Sequence, residues 1–124
     1  MAKTNAMILL LVSNSLAREV IQEALEHGGH LVQGVGDLGT AVKRLNESKP
    51  DLLIISPYIE DISGYDAAKF LRTKSHGLPV LMLGGLIDDD RLENRLALEG
   101  IEFFPRRYTA AELLSKVKDV LSRN

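Results

Sequence analysis

The chain reads as one α/β domain built on an open parallel sheet, and three features of the sequence predict it. Short apolar runs alternate with helix-period segments along its whole length, the runs are four to six residues long, and most of them end at a polar or glycine position. Its 124 residues fit one domain that can bury a core without disulfides or metal. The expected ordered core spans about residues 6–122, with no internal linker, repeat or low-complexity run.

The expected strands are Met7–Val12, His30–Val35, Asp51–Ser56, Pro79–Gly84 and Ile101–Phe104. The first, third and fourth are apolar at nearly every position, as strands covered on both faces must be. Five helices are expected between and after them. The first presents Leu16, Val20, Ile21, Ala24 and Leu25 and stops at Gly28 and Gly29. The second presents Ala41, Val42 and Leu45 and stops before Pro50. The third runs from about Tyr65 to Lys74 with Ala67, Phe70 and Leu71 inward. The fourth opens at Asp88, Asp89 and Asp90, acids that suit a helix N-terminus better than a metal, and ends at Gly100. The fifth opens with Thr109 and Glu112 in capping-box spacing and presents Leu113, Val117, Val120 and Leu121. Right-handed crossovers then leave the strand order 2-1-3-4-5, the flavodoxin-like three-layer arrangement.

Composition excludes several function classes. With 15 basic and 17 acidic residues, nothing draws the domain as a whole to nucleic acid or anionic membrane. The absence of cysteine removes thiol catalysis and thiolate metal sites, and it suits a reducing, cytoplasmic setting. The apolar run Met7–Val12 has the length of a buried strand and stands at the short limit of a signal-peptide core. No stretch approaches the roughly 20 apolar residues of a membrane span.

Ligands of such sheets meet the carboxyl ends of the strands. Here those ends carry Ser13 and Asn14, Ser56, Gly84 and Gly85, and the pair Arg106 and Arg107. The frame resembles the receiver domain of bacterial response regulators. The matching features are Met7–Val12, Pro50 to Ser56 with a loop closing at Gly64, and Leu78 to Gly84. A helix ending at Gly100 and the stretch Tyr108 to Leu113 complete the frame. The resemblance implies an acidic pair after the first strand, a phosphoacceptor aspartate after the third, a hydroxyl after the fourth and a lysine after the fifth. Ser13, Asn14, Ser56, Gly84 and Arg106 or Arg107 stand in those places, so the match is to a degenerate, pseudo-receiver form. The loop before the last helix is a residue short, which leaves open which arginine replaces the lysine. Pro57 directly follows Ser56, and Glu60 takes the position where the family usually has proline.

Charge decides the consequence. An intact receiver pocket holds three carboxylates and one lysine, and that negative balance draws in Mg²⁺. At about 4 Å and an effective dielectric near 20, each charge pair is worth about 4 kcal/mol, so losing all three removes the metal site. Phosphoryl transfer then lacks its neutralising ion. The expectation is no enzyme activity, no Mg²⁺ and no aspartyl phosphate, with non-covalent sulfate or phosphate the remaining ligand the crevice suits.

Other readings weigh less. Ser56 as a nucleophile needs a base, and His27, His30 and His76 belong to connections at the opposite edge of the sheet, where surface positions are expected. Those histidines cannot share a metal, because the second and fourth strands lie about 14 Å apart. The glycines Gly34, Gly36, Gly84 and Gly85 match no dinucleotide or P-loop spelling and read as turn residues. A flavin site would need a longer, glycine-bearing loop after the first strand. Phe103 and Phe104 read as core aromatics, where receivers often carry a mobile one.

The expected function is therefore a signalling module that binds a protein partner without phosphorylation. Phosphorelay at an unusual acceptor and a small-ligand or anion-binding role are the alternatives. In the family, the face of the fourth helix, fifth strand and fifth helix serves dimerisation or output. Here it would display Arg91, Arg95, Arg106, Arg107, Tyr108 and Lys116, a basic surface suited to an acidic partner and compatible with a homodimer.

Overall fold

A computed structural model describes residues 6–84, 100–104 and 108–122. The elements are β1 (Met7–Leu11), α1 (Ser15–His27), β2 (Leu31–Val35), α2 (Leu38–Glu47), β3 (Leu52–Ile55), β4 (Tyr58–Ile59), β5 (Ile62–Ser63), α3 (Gly64–Lys74), β6 (Val80–Leu83), β7 (Ile101–Phe104) and α4 (Ala110–Ser122). Five strands pair in parallel in the order β2-β1-β3-β6-β7, the expected 2-1-3-4-5 order. The expected fourth helix lies at 85–99, outside the described residues.

Alternation in the central strands builds two cores. Leu9, Leu11, Leu53, Ile55 and Met82 pack on one face with Ala41 of α2 and Ala67, Ala68 and Leu71 of α3. Ile8, Leu10, Leu52, Ile54 and Leu81 pack on the other with Leu25 of α1 and Leu113, Val117, Val120 and Leu121 of α4. Each such side chain removed from water contributes about 1.5–3 kcal/mol, which fixes the register against slippage. Asn14, Asp37 and Ser63 cap α1, α2 and α3, each accepting from a backbone amide of its helix's first turn. Thr109 and Glu112 form the expected reciprocal capping box, at 2.9 and 3.1 Å.

The structure corrects three details. Leu16 and Val20 are 70% and 60% exposed. The inward stripe of α1 runs through Ala17, Ile21 and Leu25, one residue out of phase with them. Phe70 is exposed in the same way, because the small pair Ala67 and Ala68 lets α3 sit directly on the sheet. His30 is buried rather than on the surface, and its Nδ1 accepts from the Ala6 amide at 3.1 Å, extending the pairing that Leu31 begins on the Ala6 carbonyl.

A short antiparallel hairpin, β4 and β5, follows β3 and was not expected from sequence. Gly64 anchors it. Its amide donates to the Pro57 carbonyl at 2.6 Å, and a Cβ there would collide with the Ser56 carbonyl and press on Pro57 Cα at 3.0 Å. Both obstacles are backbone, so only glycine lets α3 start this close to the end of β3.

Gly64→Ala is expected to cost about 1–3 kcal/mol, read as a lowered urea midpoint. Burial lowers the His30 pKa, so the folded state takes up a proton less readily than the unfolded chain. The stability tied to His30 is complete above its unfolded pKa of about 6.5 and falls as pH drops from there through the folded value. Urea titrations at pH 7.5 and 5.5 should show a smaller loss for His30→Asn, which keeps a neutral acceptor, than for the wild type.

Candidate functional site at the carboxyl edge of the sheet

Three neighbouring strands end side by side at the carboxyl edge of the sheet, where folds of this kind form a ligand crevice. Val12 still pairs with the Val35 carbonyl at 3.1 Å, after which Ser13 and Asn14 leave the sheet and open α1. Ser56 leaves β3 beside them, its amide donating to the Leu11 carbonyl at 3.1 Å. Ile55 stands opposite Met82 in β6, which leads into Gly84. Ser13, Asn14, Ser56 and Gly84 are thus brought to adjacent strand ends, as expected. Arg106 and Arg107 lie outside the described residues, as do Arg91 and Arg95.

Two polar side chains of this edge, Asn14 and Ser56, are already hydrogen-bonded within the domain. Asn14 Oδ1 accepts from the Ala17 amide at 2.8 Å, which is a helix cap and not a metal ligand's posture. Ser56 Oγ donates to the Tyr58 carbonyl at 3.1 Å. That bond ties β3 to the hairpin, leaves the oxygen only as an acceptor, and gives it no base that would activate it. It also removes a donor that an anion would need. Gly84 contributes no side chain.

Sequence reading missed one cation here. Arg18 lies one turn into α1, and its Nη1 donates to the Val12 carbonyl at 2.7 Å. The guanidinium rests over Gly36, where a Cβ would come within 2.8 Å of Nη1. Gly36, read as a turn glycine, instead clears room for this side chain, while Gly34 clears room chiefly for the Gln22 side chain. Bare positions at a strand end opposite a helix arginine were the available signal.

Acidic side chains near this edge stand elsewhere. Glu60 and Asp61 are exposed at the hairpin tip, and Glu60 has a φ of 51°. Proline, fixed near −65°, cannot take that conformation, so glutamate at the family's proline position goes with a different backbone. Asp37, after β2, accepts from the Thr40 amide and hydroxyl at 2.7 and 2.9 Å; the amide bond first, then the hydroxyl, holds its carboxyl below the ordinary aspartate range. Among the described residues, no cluster of three or more Asp, Glu, His or Cys stands where it could hold a metal ion.

On the far side of the sheet edge, Tyr108 is half-buried with its ring 4.9 Å from that of Phe104, and burial raises its phenol pKa. Lys116 pairs with Glu102 of β7 at 3.1 Å, with both side chains partly shielded. Lys116 is therefore neutralised within the domain, and the basic character expected of this face rests on the arginines. A cavity of about 190 Å³ lined by Arg72, Pro79, Val80, Gly100, Glu102 and Val120 opens at the opposite, amino end of β6 and β7. It is smaller than the roughly 300 Å³ at which small-molecule sites begin, and Arg72 spans it to the Leu78 and Gly100 carbonyls.

Comparison with known proteins agrees with this frame. The family model for the response regulator receiver domain matches residues 8–118. Among curated proteins, the probable transcriptional regulatory protein TcrX of Mycobacterium tuberculosis is 25% identical over 119 residues, covering 94% of this chain and 50% of TcrX. The phosphate regulon transcriptional regulatory protein PhoB of Escherichia coli is 26% identical over 118 residues, covering 94% and 52%. The chain thus spans about half the length of these relatives. Among solved structures, the receiver domain of the Francisella response regulator 1452 superposes with a TM-score of 0.85 at 20% identity, covering 96% of this chain and 98% of that one. The chemotaxis response regulator CheY4 of Vibrio cholerae gives 0.82 at 19%, covering 95% and 100%. A parallel sheet in this order and a family match over most of the length lead to one assignment: the chain belongs to the response regulator receiver domain family.

Proposed function

We propose that this receiver domain signals by protein contact and does not run an aspartyl-phosphate cycle. The observation that carries this reading is Ser56 at the end of β3, the place where the resemblance puts the phosphoacceptor, with its hydroxyl spent on the Tyr58 carbonyl. Ser13 and Asn14 support it, since neither offers the carboxylate a hard divalent cation prefers and Asn14 is engaged as a cap. Without the ion, phosphoryl transfer at this edge lacks the metal that would neutralise the transferred group's charge. A cytoplasmic setting goes with this role, and no enzymatic step is assigned to the domain.

The contact face we assign is the one that the resemblance implies for output, carried among the described residues by β7 and the start of α4. Arg91, Arg95 and Arg107 would supply its positive charge, Tyr108 an amphipathic ring at its rim, and an acidic protein surface would complement it. Lys116 belongs to this face by position and acts within it as the internal partner of Glu102.

Two experiments follow. Incubation with acetyl phosphate and MgCl₂, followed by intact-mass spectrometry, should leave the mass unchanged; a stoichiometric phosphoryl adduct mapped to the crevice would overturn the reading. Reversing Arg95 and Arg107 to glutamate should weaken partner capture by about tenfold while leaving the unfolding midpoint unchanged. Equal capture would place the contact on another face.

A further inference from the structure

The free edge of the sheet carries a surface the signalling reading does not use. β2 is an edge strand, and its pairing with β1 is continuous from Leu31 to Val35. Leu31 donates to the Ala6 carbonyl and Val35 accepts from the Val12 amide, so Leu31, Gln33 and Val35 turn their backbone groups inward. By the two-residue period, Val32 and Gly34 turn theirs outward, and no described residue bonds to them. The usual protections of an edge are missing: β2 has no charge, no proline and no break in register, and Leu31 is 69% exposed.

A second observation names the occupant. Along α1, Arg18, Gln22 and Glu26 recur every fourth residue on the flank facing β2. Arg18 and Gln22 reach Gly34, and Gln22 Nε2 donates to Glu26 Oε2 at 3.4 Å. The stripe runs positive, neutral, negative, which is self-complementary when reversed. We infer that β2 is a homodimerisation edge, on which a second copy of this chain pairs antiparallel about a two-fold axis at Gln33. Val32 of each copy then exchanges amide and carbonyl with Gly34 of the other, and Leu31 meets Val35 across the axis. Gly34 presents no side chain to obstruct the approach. On the α1 face, Arg18, whose Nη1 stays on the Val12 carbonyl, offers its remaining guanidinium hydrogens towards Glu26 of the second copy, with the two Gln22 residues between. Because α1 packs over both β1 and β2, the two helix axes come about 10 Å apart, an ordinary packing distance.

The contact is short, so the expected affinity is weak, with a dissociation constant between about 10 μM and 1 mM. Light scattering coupled to size exclusion, run on the 124-residue chain at low salt, should show a dimer forming across that range. Glu26→Lys, at an exposed position, should raise the dissociation constant at least about tenfold with the unfolding midpoint unchanged. The chain has no cysteine, which permits a direct geometric test. Across the axis Gln33 faces its own copy at a non-hydrogen-bonded position, where Cα atoms stand about 4.5 Å apart, within disulfide reach. Gln33→Cys should therefore give a disulfide-linked dimer in oxidised glutathione, and Ser115→Cys, exposed on α4, should not. A monomer up to about 1 mM, or equal crosslinking of the two cysteine variants, would overturn the inference.

Discussion

The parallel pairing of β1, β3 and β6, buried on both faces, is the constraint from which the rest of the molecule follows. Its register is held by apolar side chains alternating into two cores, and a slip of one residue would turn each set to the wrong layer. With Leu11 opposite Ile55 and Ile55 opposite Met82, the residues that leave these strands are forced into one crevice. Whatever chemistry the domain has there is decided by which side chains stand at those few positions. The scaffold is that of a receiver, and serine, asparagine and glycine stand at the ends of these strands.

Electrostatics then separates scaffold from activity. A crevice that assembles carboxylates must offset their mutual repulsion with a cation, and a receiver uses Mg²⁺ for that purpose. Here the strand ends impose no such repulsion. Asn14 closes the first turn of α1, Ser56 fastens the hairpin, and Arg18 settles over the bare backbone of Gly36. Groups in these places contribute to the stability of the carboxyl edge, and the proposed signalling by surface contact starts from that commitment.

Much of this was legible in the sequence because it is written locally. Continuous apolar runs gave the buried strands, the Thr109 and Glu112 spacing gave the capping box, and Gly64 marked a turn whose necessity the close approach to Ser56 explains. What was not legible depends on tertiary geometry. The exposed positions of Leu16, Val20 and Phe70 follow from helix phase, which a broad apolar stripe leaves undetermined within one residue. The β4 and β5 hairpin joins strands of two residues through Glu60 and Asp61, with no turn glycine to announce it. His30 is buried because a strand-end amide needs an acceptor, and Lys116 is paired because Glu102 of β7 lies beneath it. Neither partner is near in sequence.

The central claim is that the crevice lacks Mg²⁺ affinity because its strand-end positions lack carboxylates, and calorimetry tests it most directly. Titration of MgCl₂ into the wild-type chain and into Ser13→Asp/Asn14→Asp/Ser56→Asp compares the same scaffold with and without the charges, since aspartate caps a helix as well as asparagine does. The account predicts no binding heat for the wild type and saturable, millimolar-range binding for the triple variant. Saturable Mg²⁺ binding by the wild-type chain would contradict it.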